Sequence, residues 1–260
     1  MKEVFKYTFT TIANWQKFLL VIVIMSFLTF IQAFPVISIA SFIFEKLLYL
    51  SIGAFLIYLV KNSKTIDSYY ENLKTNAFST FLFHFLPTAS GILIGMILIS
   101  MFWFMFFILI LQATNSMFIL ANPHELFISI SHTSTLAKIL LAIYVIYLSL
   151  FSYIFLGKFG EALEKESFRS AFLSIVSSLV DFKFWLRTFN LKYFIIYFVW
   201  SLIIVALYTA VAFTYLFVIF PIIISGPNFT LAVIPVLVGI TTILSYFTFF
   251  SAYFSYKTTI

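Results

Sequence analysis

Glu45 and Lys46 stand side by side early in an otherwise apolar run, Ile37–Val60. An ionisable side chain is costly there and is by default a functional candidate or half of an internal pair. Sequence neighbours point in different directions on a helix, so the two need not pair with each other. The plainer reading is that they mark the outer end of a helix and reach the headgroups by snorkelling. His84, three residues before Pro87, adds a group whose charge changes near neutral pH, which suits it to proton or ligand binding. In its plainer role it is a hydrogen-bonding residue at the membrane interface. His124, Glu125 and His132 are of types that ligate metals. A helical zinc site needs two His four apart with Glu directly after the first, so no metal is expected.

The densest charge cluster is Glu161, Glu164, Lys165, Glu166, Arg169, Asp181, Lys183 and Arg187. Its mixed signs fit a solvated interfacial segment. Within it, Glu161, Glu164, Lys165, Arg169 and Arg187 are the candidates for docking a protein partner, because this is the one sizeable polar surface. Catalytic patterns fail residue by residue. Glu164-Lys165-Glu166 with Arg169 does not reproduce the paired-glutamate-then-arginine pattern of intramembrane prenyl proteases. Ala89-Ser90-Gly91 does not complete a rhomboid-type nucleophile motif, since Thr88 stands where the leading glycine belongs. There is no Walker loop and no dinucleotide glycine fingerprint. Neither an enzymatic role nor a cofactor is expected.

The elements that position these residues follow from composition. The chain of 260 residues is 63% hydrophobic and 9% charged, and has no cysteine. Soluble domains are about a quarter charged. At about 20 residues per crossing, the chain spans a bilayer five to seven times and leaves no room for a separate soluble domain. Apolar runs predict six helices: Phe18–Phe34, Ile37–Val60, Phe81–Leu111, Leu136–Leu156, Tyr193–Phe220 and Leu231–Phe254. Pro35 makes the first two a tight hairpin. Gly91 and Gly95 have the small-xxx-small spacing that brings helices close.

Six spans place thirteen of the fifteen Lys and Arg on one side, leaving Lys46 and Lys138 towards the other. The positive-inside rule then puts both termini in the cytoplasm, in a cell (inner) membrane. The net charge of +6 reports this orientation and contact with anionic membrane lipids; nucleic acid is not an expected partner.

Before each hairpin lies a stretch with apolar residues at helical spacing: Val4, Phe5, Thr8, Phe9 and Ile12; then Ile66, Tyr69, Tyr70, Leu73 and Ala77; then Phe168, Ala171, Phe172, Ile175, Val176 and Leu179. These are expected to form amphipathic interfacial helices on the cytoplasmic side. With Asn14-Trp15-Gln16-Lys17, Asn72-Leu73-Lys74 and Asn190-Leu191-Lys192 they suggest three repeated units, 1–60, 61–157 and 158–260, within one integral membrane domain. The expected fold is an all-α polytopic helical bundle.

Phe5-Lys6-Tyr7-Thr8-Phe9 followed by Asn14-Trp15-Gln16-Lys17, and Gly160-Glu161-Ala162 with Phe168-Arg169-Ser170-Ala171-Phe172, resemble an uncharacterised family of prokaryotic multi-pass membrane proteins. That family is classed only as a domain of unknown function and is similar in outline to membrane domains found beside glycerophosphodiester phosphodiesterases. The resemblance carries over no functional residue. Two functions fit the sequence. The first is a non-catalytic assembly, anchoring or regulatory component for a partner. The second is a transporter or channel-like carrier, which needs polar groups or broken helices near the midplane unless its substrate is lipid-like.

Overall fold

The computed structural model describes residues 1–32, 34–35, 37–76, 78–114, 134–214 and 228–260, the side chains of 78–82, 214 and 228–232 excepted. His124, Glu125, His132 and Ala77 lie outside them. Among the described residues there are ten helices and no strand: α1 (Lys2–Ala13), α2 (Trp15–Ile31), α3 (Ser38–Asn62), α4 (Ile66–Thr75), α5 (Phe78–Ala113), α6 (Thr135–Leu163), α7 (Phe168–Ser177), α8 (Phe182–Thr188), α9 (Leu191–Thr214) and α10 (Asn228–Lys257). The fold is the expected all-α bundle, because in hydrocarbon a helix satisfies its backbone amides within its own segment. Five helices, α3, α5, α6, α9 and α10, are long and apolar enough to cross a bilayer, and a sixth crossing is reached if α1 and α2, bent by 80° at their junction, form one span. The chain is a multi-pass membrane protein.

Local signals set the helix ends. The Thr65 hydroxyl accepts from the Ser68 amide at 3.1 Å and the Ser68 hydroxyl accepts from the Thr65 amide at 3.0 Å, a reciprocal cap that starts α4. Ser134, Ser167 and Asp181 cap α6, α7 and α8 in the same way through one bond each. Lys17 of α2 donates to the Leu73 and Asn76 carbonyls at the end of α4, where carbonyls lack helical partners. The Pro35 turn joins α2 to α3, with the Phe34 amide bonded to the Ile31 carbonyl at 3.0 Å.

α3 is the centre of the bundle, with 72% of its apolar stretch buried inside the protein. It packs on α5 and α10, and Gly53 admits the Phe249 ring so closely that an added Cβ would come within 2.9 Å of it. α10 runs between α3 and α6, where Gly160 lies against the Ala252 carbonyl with no space for a side chain.

Two expectations need adjustment. α6 continues to Leu163 instead of ending near Leu156, so Lys158 and Glu161 belong to its last turns rather than to a loop. Gly157 and Gly160 permit this by letting Tyr193 and α10 press against the helix, which encloses the polar residues among partners. The buried face of α7 is also shifted from the expected apolar stripe, keeping its Ala171 and Ile175 but taking in two serines in place of Phe168. Ala171, Ser174, Ile175 and Ser178 are buried, whereas Phe168 is 41% exposed. The cause is α5: α7 lies along it with the Phe168 backbone against Gly91 and Ile175 against Gly95, so small residues set the contact. α1 likewise buries Val4, Tyr7, Thr8 and Thr11, and Phe9 faces outward.

Candidate functional site

Glu45 lies about 10 Å along the axis of α3 from Ser38, at 1.5 Å per residue, and is buried. Its carboxylate accepts from the Gln32 amide at 2.5 Å and from the Lys46 ammonium at 2.9 Å. The adjacent residues therefore do pair. A long lysine side chain folds back, and its ammonium also lies 4.9 Å from the centre of the Phe42 ring. The Glu45 side chain is 10% exposed and that of Lys46 is 40% exposed, so the pair runs from interior to surface.

This pair edges a cavity of about 690 Å³ lined by α3, α5, α6, α9 and α10. Its volume lies within the range of about 300–1,000 Å³ usual for small-molecule sites. Leu156, Phe155, Phe159 and Phe249 make an apolar floor, and Trp103, Trp200 and Tyr208 line it further along α5 and α9.

The polar groups in the wall are mostly satisfied within the protein. Ser152 donates to the Ser149 carbonyl at 2.8 Å, Thr241 to Val238 at 3.0 Å and Ser245 to Thr241 at 2.8 Å. The Trp200 indole donates to the Thr248 hydroxyl at 3.1 Å. Tyr49 and Thr242 hydroxyls lie 3.1 Å apart, and because Thr242 already donates to the Val238 carbonyl, Tyr49 is the donor between them. Hydroxyls that donate in this way keep oxygen lone pairs as further acceptors. The wall thus offers acceptors, a carboxylate and one ammonium, which suits an apolar molecule with a small polar head.

His84 is not part of this site. It is exposed on α5, its ring edge-on to Phe85 with centroids 4.8 Å apart, and it lines neither described cavity.

The five docking candidates separate into two kinds. Glu161 sits between Lys158 at 2.8 Å and Lys165 at 3.6 Å, while Glu164 holds Lys257 at 3.0 Å and Lys61 at 3.5 Å. Arg169 and Arg187 are exposed, on α7 and α8. Lys158 organises the centre of the cluster. It is 3% exposed, bonds Asp181 at 2.7 Å as well as Glu161, and lies 4.5 Å over the Phe184 ring. Partial burial works to raise the Asp181 pKa, but the hydrogen bonds from Lys158 and the Phe184 amide and the charges of Lys158 and Arg187 outweigh it and hold the carboxyl below its usual range. The roles of Lys158, Lys61 and Lys257 escape sequence reading, since 93 residues separate Lys257 from Glu164.

Aromatic hydroxyls reinforce the same end. Tyr193 donates to the Tyr153 carbonyl at 2.6 Å and accepts from the Gly157 amide at 2.9 Å, and Tyr153 donates to the Thr188 carbonyl at 2.7 Å. Tyr69, fully buried, donates to Thr11 at 2.6 Å, since Thr11 itself donates to the Tyr7 carbonyl. Burial pushes the Tyr69 phenol up, so it remains a neutral donor.

No protein-family model matches the chain, no curated protein matches it, and no solved structure matches its fold.

Proposed function

We propose that this protein binds an amphiphilic, lipid-like molecule within the bundle and carries or shelters it there, without catalysing a reaction on it. The observation that carries this reading is the 690 Å³ cavity with an apolar floor and a single ion pair at its edge. A carrier of an apolar substrate needs few polar groups at mid-depth, in keeping with the scarcity of intramembrane charge. The test is native mass spectrometry of the protein extracted from its own membrane in mild detergent. A defined lipid or small molecule is expected on the wild type and is expected to be lost from Ser245→Phe, which fills the cavity. Equal retention by both refutes the reading.

A second reading, an assembly, anchoring or regulatory component for a partner, is favoured by the exposure of Arg169 and Arg187. The other three docking candidates are engaged in pairs within the chain, which weakens it. A stoichiometric protein companion in the same spectrum, lost from Arg169→Ala with Arg187→Ala, is its expected signature.

The orientation we propose has both termini in the cytoplasm of a cell with this protein in its inner membrane. The ion pairs joining Lys61, Glu164 and Lys257 support it by gathering three distant basic stretches at one end. The chain has no cysteine, so single cysteines at Lys64 and Lys138 test it directly. An impermeant thiol reagent applied outside the cell is expected to label the second and spare the first.

A further inference from the structure

The Tyr193 amide donates to the Asn190 side-chain oxygen at 2.8 Å, starting α9 with only two residues between it and the end of α8. α8 is therefore held beside the start of α9, a helix long and apolar enough to cross a membrane. Around it Val180, Phe182, Leu186, Phe189 and Leu191 are each more than 60% exposed, so no other segment covers them among the described residues. Lys183 and Arg187, four residues apart, share one side of α8 and take part in no ion pair among the described residues. Both line a cavity of about 330 Å³ with Lys158, Glu161, Asp181 and Tyr256.

The two carboxylates in this pocket do not repel an anion strongly, because Lys158 bonds both, at 2.8 and 2.7 Å, and Lys165 lies 3.6 Å from Glu161. Three cationic and two carboxylate side chains line it, and Lys183 and Arg187 are the cations that bond neither carboxylate. A soluble acidic peptide would match the cations but leave the apolar surface in water. An anionic glycerophospholipid satisfies both, and arginine forks suit phosphate oxygens in particular.

We propose that α8 and the pocket beside it bind the phosphate of an anionic glycerophospholipid in the adjacent leaflet, with Lys183 and Arg187 on the phosphate and Phe182, Leu186 and Phe189 among the acyl chains. The site is independent of the larger cavity. Its test uses the full chain in mixed micelles of phosphatidylglycerol and phosphatidylcholine, with bound lipid counted by native mass spectrometry. The wild type is expected to retain phosphatidylglycerol preferentially. Lys183→Gln with Arg187→Gln is expected to lower that retention by roughly five-fold per cation removed, the equivalent of about 1 kcal/mol for each basic residue near an anionic surface. Lys64→Gln with Lys74→Gln, exposed cations elsewhere, is expected to leave it unchanged. Arg187→Gln alone gives the same direction if the double variant does not fold. Equal retention of the two lipids, undiminished retention by folded Lys183 and Arg187 variants, or full displacement by inorganic phosphate or by a poly-glutamate peptide overturns the proposal.

Discussion

The end of the bundle that gathers Lys61, Glu164 and Lys257 and the half that holds the cavity are built from the same long helices, yet they cohere differently. At the basic end, Gly91, Gly95, Gly157 and Gly160 bring backbones and rings into contact, and five of the six ion pairs among the described residues lie there. In the other half the helices leave a cavity between them. α9 is tied to α6 through Tyr193 and Tyr197, but only 6% of its apolar stretch is buried inside the protein, against 72% for α3. In lipid there is little hydrophobic drive to bring helices together, so association depends on close packing and hydrogen bonds. Where close-packed glycines and ion pairs cluster the helices close; where they are sparser a cavity persists. One end acts as a clasp and the other as a container.

The sharpest way to break this contrast is at the clasp. Gly160→Ala puts a methyl group into the Ala252 carbonyl, and overpacking of this kind costs about 3 kcal/mol when backbone must move. A large fall in the thermal midpoint in detergent is expected. In the same helix as Ala252, Gly239→Ala meets only the tip of Ile22 at 3.5 Å, ordinary contact. It is expected to be neutral or stabilising by up to about 1 kcal/mol, the helix preference of alanine over glycine. Equal losses from the two substitutions would erase the distinction between the two regions.

Removing Lys158 is the next largest perturbation. Loss of one partner from a buried pair costs about 3–5 kcal/mol; because the Asp181 side chain is 34% exposed, about 2 kcal/mol is expected for Lys158→Met. Denaturant unfolding of this variant beside Asp181→Asn measures how far the two residues act together. The pH dependence follows from the depressed Asp181 carboxyl. Its contribution is present above the usual carboxylate pKa and is lost as pH falls through the lower folded value. Acid unfolding of Asp181→Asn is therefore expected to be shallower than that of the wild type, with no difference in slope from this group between about pH 6 and 8.

The smallest stability change is expected in the container. Ser245→Phe projects into open space and should alter unfolding free energy by under about 1 kcal/mol, within the range of tolerated apolar changes. The same variant is expected to lose the bound amphiphile. A large stability loss would mean that the cavity walls close on each other in the absence of a ligand.

Much of the fold was legible in the sequence because length and apolarity alone decide a crossing helix. Phe18–Phe34 and Ile37–Val60 correspond to α2 and α3, whose ends differ by a few residues. The continuation of α6 past Leu156 was not legible, since Lys158 and Glu161 look like loop residues until Asp181 and Lys165 are beside them. Gly91 and Gly95 announced a close approach, but α7 rather than another crossing helix occupies it. Of the candidate site, Glu45 and Lys46 were singled out for the cost of their charge, while Trp200, Tyr208 and Phe249 had nothing local to join them to that pair.

The sequence by itself determined that this chain lives in a membrane as a helical bundle, because burial of apolar residues in lipid and internal backbone hydrogen bonding depend on each segment's own composition. It also determined the lopsided distribution of Lys and Arg. The tertiary structure decided which charges are neutralised, which face of each short helix is hidden and where the bundle stays open. Those outcomes depend on the meeting of segments far apart in the chain, as when Lys257 reaches Glu164 across 93 positions, and on the few ångströms that a glycine concedes.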